Sequence, residues 1–214
     1  MMVLTGVALT IADRDGGNVV AIVITGALLF VSPLILHRLR EFSVSPDGVT
    51  FSLVTEIAQT APDTAAILGH TELAGLAQSY AIVHAELPGD ANKATRAAVE
   101  DVLLKRAADT ARLHTFNADE VRSLFRQGSP VIRALALGLM EGDTSLADGE
   151  TIRAAIGASR SGNEQYHGLK LAQLAWRQLA PAERSAIHGS IDRLSGLGAG
   201  RQALARQVRE LPAS

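Results

Sequence analysis

The sequence predicts a mainly α protein: one N-terminal transmembrane helix, a short juxtamembrane β-hairpin, then a helical domain built as a bundle or as stacked helical pairs. Three observations predict it. Residues 19–36 carry no charge. One strong hairpin signal follows at 42–54, and from residue 60 onward capping residues precede one apolar run after another. The implied organisation is an extracytoplasmic segment 1–18, a span 19–36, a hairpin 37–55 and a cytoplasmic all-helical domain 56–214.

The span comes first. Eighteen helical residues reach about 27 Å, close to the ~30 Å hydrocarbon core of a bilayer. Val19, Ile24, Leu28, Phe30 and Leu36 mark its length. Gly26 and Pro33 are compatible with it, because both are tolerated in membrane helices. A helix buried in a soluble core would also be apolar all round; the length favours the membrane. A cleaved signal peptide would need a basic leader and small residues at the cut. The leader here, Asp13-Arg14-Asp15-Gly16-Gly17-Asn18, is net acidic, and His37-Arg38-Leu39-Arg40 follows the run. Arg38 and Arg40 outnumber Arg14, so the expected topology is N-terminus outside and C-terminal domain in the cytoplasm.

The flanking segments carry weaker signals. Residues 1–12 are apolar but too short to span a bilayer as a helix. Asp13, Asp15, Gly16 and Gly17 lack the further oxygen ligands of a calcium loop, so a solvated turn is the better reading. After the span, Phe42 and Val44 alternate with polar residues, as do Val49, Phe51 and Leu53. Pro46 and Gly48 sit where a type I turn wants them. Such a ribbon is marginal alone and needs a partner surface.

The helical domain is then read in order. Pro62 suits a first helical position of a segment ending at Leu68. Thr71 can cap a helix to about His84. Pro88-Gly89 breaks the chain, and Asp90 can cap a helix to about Leu113 with Val99, Val102 and Leu103 on its apolar stripe. Asn117 and Glu120 have capping-box spacing, ahead of a helix that ends near Gly128. Ser129-Pro130 starts residues 131–140, apolar almost all round and so expected at the centre. Asp148 can cap a helix through Ile152 to Ile156. Ser161 and Glu164 repeat the capping-box spacing ahead of Tyr166 to Leu179. Pro181 opens a helix to about Leu194, Gly196 and Gly198 punctuate, and a last helix covers Gln202 to Leu211.

A faint internal echo runs through this stretch. Residues 131–140 can be laid on 167–176 at an offset of 36, and 153–156 on 184–187 at an offset of 31. Helix-pair repeats have periods in this range. The pattern resembles generic HEAT-like or TPR-like pairs in periodicity alone; the TPR signature residues are absent, and an irregular bundle fits as well.

Composition limits the functions. The formal net charge is −2, against a general nucleic-acid binder. There is no cysteine, so disulfides and thiolate chemistry are excluded. Aromatic residues make up 4%, too few for a base-stacking platform. His37, His70, His84, His114, His167 and His188 are scattered and none has zinc-binding spacing. No nucleophile elbow or phosphate loop is present, and Gly196, Gly198 and Gly200 follow a helix rather than a strand. No cofactor or metal is implied.

The remaining candidates are polar residues in the helical domain. Glu164 and His167 are three apart and share a helical face; a Glu–His pair can do acid–base work if it lines a cleft. Otherwise Glu164 caps the helix, Tyr166 packs and His167 is satisfied locally. Arg133 is the sole charge in the 131–140 run and needs a carboxylate, because an unpaired buried charge is costly; Glu164 is the candidate partner. Arg133, Glu164, Tyr166 and His167 are therefore the expected interaction surface. The expected partners are membrane lipid and another protein, with a homo-oligomer as an alternative. The function implied is a membrane-anchored interaction or regulatory module; the competing readings are an enzyme with an uncatalogued site near Glu164 and His167, or a self-assembling membrane protein.

Overall fold

The computed structural model describes residues 55–213, which are mainly helical and contain no strand. The expected segment 1–18, the span 19–36 with Val19, Ile24, Leu28, Phe30 and Leu36, the flank Arg38 and Arg40, and the hairpin arms lie outside the described residues. Residue 55, counted with the hairpin, is already helical. No helix among the described residues is long and apolar enough to cross a membrane.

After a helical segment at 55–60 come α1 (Pro62–Gly69), α2 (Leu73–Glu86) and α3 (Lys93–Leu113). Then follow α4 (Ala118–Gln127), α5 (Pro130–Gly142), α6 (Gly149–Gly157) and α7 (Gly162–Ala175). The chain closes with α8 (Pro181–Asp192) and α9 (Ala199–Arg209).

Local chemistry sets most of these boundaries. Asn117 Oδ1 accepts from the amides of Asp119 and Glu120, Asp148 Oδ1 from Thr151, and Ser161 Oγ from Glu164. Each satisfies amides that the first helical turn leaves unpaired. Asp90 does not cap α3: a 3-10 turn, Asp90–Asn92, intervenes, and Gly89 takes the positive φ of 85° that glycine allows there. Arg96 closes that bend by donating to the carbonyls of Leu87 and Gly89. α9 begins at Ala199, three residues before the expected Gln202, because Gly198 adopts the extended N-cap conformation and Gly200 does not interrupt the turn after it.

α5 is the centre. Every residue from Val131 to Met140 is buried, so the all-apolar run needs no solvent face. α5 packs against α3, α4 and α7. Its approach to α3 is unusually close. A Cβ on Gly138 would stand 2.7 Å from the Leu104 carbonyl oxygen, and one on Gly142 would stand 2.1 Å from that of Ala108. Only glycine at these positions, facing Ala107 and Ala108, lets the two backbones meet.

The later helices associate in order. α4 packs on α5, α6 on α7 and α8 on α9; α8 also packs on α6 and α9 on α7. Two capping-box glutamates reach across these contacts rather than back to their own N-caps. Glu120 accepts from the amides of Asp63 and Thr64 at the start of α1, at 3.1 and 2.8 Å. Glu164 turns to Arg133. Glu183 does both, accepting from Ala180 N at 2.8 Å and from Gly149 N at 3.0 Å. Glu56 similarly accepts from Ser129 N, tying the 55–60 segment to the start of α5.

Candidate functional site

The four residues expected to form a surface lie on α5 and α7, and three of them are buried. Arg133, Glu164 and His167 are each 5% exposed, whereas Tyr166 is 37% exposed. The first three join helices within the fold, and of the four only Tyr166 is exposed.

Arg133 and Glu164 form the ion pair that the lone charge in an apolar helix requires. Arg133 Nε donates to Glu164 Oε2 at 3.0 Å and Nη2 donates to Oε1, a bidentate fork. Nη1 donates to the Phe125 carbonyl at 2.7 Å, and the guanidinium lies 3.9 Å from the centroid of the Phe125 ring. All three guanidinium nitrogens are therefore engaged, and α4, α5 and α7 are joined at one point.

His167 lies one turn further along α7, between two carboxylates. Nδ1 is 2.6 Å from Glu141 Oε1, and Nε2 is 3.3 Å from Asp101 Oδ1. Lys170 donates to Glu141 Oε2 at 2.6 Å. Asn163 Nδ2 reaches Asp101 Oδ1 at 3.5 Å, and Asn163 and Tyr80 both act on the neighbouring Glu100 carboxyl. The network thus links α3, α5 and α7.

Its electrostatics follow from burial and pairing. Burial works to raise the Glu141 carboxyl, but the hydrogen bonds and charges of His167 and Lys170 together outweigh it and hold Glu141 below the usual carboxylate range. Glu100 goes the other way. Burial pushes it up and neighbouring Asp101 adds to the rise, against the hydrogen bonds of Tyr80 and Asn163 and the charge of His167. Burial, then the charge and hydrogen bond of Glu100, push the Tyr80 phenol up as well.

This arrangement is poorly suited to acid–base catalysis. A general base must reach a substrate proton, and both ring nitrogens of His167 already face protein carboxylates. Among the described residues no three His, Cys, Asp or Glu side chains form a group able to hold a metal ion. An open depression of about 330 Å³ lies between α6 and α8, with Glu150, Arg153, Ser190 and Arg193 in its lining. None of the four expected residues lines it.

What faces solvent beside the buried network is a ridge on α7. Tyr166, Lys170 and Leu174 recur every four residues and share one face. Leu174 is 49% exposed, and the Lys170 side chain is 42% exposed. Tyr166 stands edge-on to His167, with ring centroids 5.3 Å apart. Lys170 and Leu174 escaped the sequence reading because their exposure depends on which side of α7 receives α5, α6 and α9. Comparison of the chain with protein-family models, with curated proteins and with solved structures found no match.

Proposed function

We propose that the chain is a membrane-anchored interaction module: residues 19–36 hold it in the bilayer and the cytoplasmic helical domain docks another protein. One observation carries the docking part. Tyr166 and Leu174, two large exposed hydrophobic side chains, lie on a single helical ridge with Lys170 between them. Isolated surface hydrophobics need no explanation, but two aligned on one helical face, one of them the tyrosine that interfaces favour, offer a contact strip. The engaged nitrogens of His167 weigh against the enzyme reading.

The helical pairs are read as a short HEAT-like array. The first helices begin at 118, 149 and 181, steps of 31 and 32 residues, and each pair packs on the next in the order that such arrays require. The 131–140 echo at an offset of 36 is this spacing displaced by about one helical turn, which leaves the same face inward.

Two experiments test the proposal. For the anchor, Ile24→Arg with Leu28→Arg should release the protein from carbonate-washed membranes, since each central charge costs roughly 2.5–3.5 kcal/mol on insertion; a double variant that still pellets removes the anchor. For docking, the full chain is captured from solubilised membranes beside a Tyr166→Ala/Lys170→Glu/Leu174→Ala variant. A protein retained by the wild type and lost from the folded variant supports the ridge. Identical capture by both rejects it.

A further inference from the structure

We infer that His167 is a proton-operated latch between α7 and α3, closed when both imidazole nitrogens carry hydrogen and opened on the Asp101 side when one is lost. A neutral imidazole has one N–H and one lone pair; the imidazolium has two N–H donors. Here each nitrogen faces an ionisable carboxyl oxygen, at 2.6 Å on Glu141 and 3.3 Å on Asp101. Only the imidazolium satisfies both.

The two bonds are unequal, which decides where the latch opens. Glu141 is buried and further fixed by Lys170, whereas the Asp101 side chain is 60% exposed. The neutral ring keeps its proton on Nδ1, where leaving a buried carboxylate unpaired costs most. Nε2 then turns a lone pair toward Asp101, which is free to move into water. Only the Asn163 contact at 3.5 Å remains between Asp101 and α7.

The charged surroundings set the sign. On α3 the groups are Glu100 and Asp101, with Arg96 acting on Tyr80 of α2; on α5 they are Glu141 and, two turns away, Arg133; on α7 itself, Glu164 and Lys170. Imidazole is the side chain that changes charge between about pH 5 and 8. The latch is closed where the ring carries both protons and open where it has lost one. Glu100, pushed up by burial, has the same sign: its contribution is full at low pH and falls as pH rises through its raised value. Glu141, held low, loses its contribution only as pH falls below the ordinary carboxylate range.

The consequence for binding rests on reading the α7 ridge as the docking face. Tyr166 packs edge-on against the His167 ring and Lys170 shares Glu141 with it, so the latch sits directly beneath two of the three ridge residues. The latch itself is testable without any partner.

The test is hydrogen–deuterium exchange of the full chain in detergent across about pH 5 to 8, corrected for the intrinsic pH dependence of exchange. In the wild type and in Glu100→Gln, protection of α3 around Asp101 should fall about three- to tenfold as pH rises, the scale of one partly exposed charge-assisted hydrogen bond. In His167→Gln and in Asp101→Asn the profile should be flat. If His167→Gln does not fold, the exposed Asp101→Asn variant decides. A flat wild-type profile, or a pH dependence that survives in Asp101→Asn, overturns the latch. Loss of the dependence in Glu100→Gln also overturns it and assigns the titration to Glu100.

Discussion

Removing Glu164 should expose the cost of the buried ion pair. In Glu164→Ala the Arg133 guanidinium stays at the junction of α4, α5 and α7 with two of its three nitrogens unpartnered; only the Nη1 bond to the Phe125 carbonyl and the ring contact remain. Breaking one side of a buried pair costs about 3–5 kcal/mol, because the other charge is left without compensation. For a domain of this size each kcal/mol shifts the midpoint by about 2–4 °C, so the melting temperature should drop by roughly 6–20 °C. The companion is Arg133→Met with Glu164→Leu, which removes both charges. Apolar replacement of a whole buried pair is often neutral or stabilising, so the double variant should melt well above Glu164→Ala. The assay is far-UV circular dichroism during thermal unfolding, with urea unfolding to confirm a single transition. A Glu164→Ala variant that melts like the wild type would refute the reasoning. So would a double variant less stable than both single ones, since the charges would then have been worth more than their desolvation.

Three further outcomes follow from the packing. Leu137→Ala, at the centre of the buried α5 run, should cost about 2–5 kcal/mol, and an unchanged urea midpoint would show that the core lies elsewhere. Gly142→Ala should destabilise despite alanine's gain of about 1 kcal/mol in helix propensity, because the new methyl meets the backbone of Ala108, which cannot rotate away; a rise in melting temperature would contradict the close approach. Glu120→Gln should weaken the cap on α1 by about 1 kcal/mol, read as faster amide exchange confined to 62–69, and exchange that spreads evenly over the whole domain would contradict a local cap.

Features set by neighbours in the chain were legible in the sequence. Asn117, Asp148 and Ser161 cap as expected because a cap reaches only two or three residues ahead. The centrality of α5 was legible from a run with no polar face, and Arg133 announced its need for a carboxylate by standing alone in that run. Features set across the fold were not. Glu120 and Glu164 have capping-box spacing yet serve other helices, because a carboxylate that can satisfy distant amides or a buried guanidinium does more for the fold than one that closes its own turn. His167 meets Glu141 and Asp101, 26 and 66 residues away, separations that leave no pattern. The α3–α5 contact did leave a trace: Gly138 and Gly142 are four apart, opposite an alanine-rich α3, a small-residue spacing that would have predicted close packing.

The most direct test of the account is where on the domain a partner touches. A photo-crosslinking residue placed at position 174 on the α7 ridge, in the full chain expressed in cells, should give a discrete adduct. The adduct should vanish when Tyr166→Ala and Lys170→Glu are added. The same residue placed at position 126, an exposed site on α4, should not give that adduct. No adduct from position 174, or the same adduct from both positions, would contradict the assignment of the ridge as the docking face.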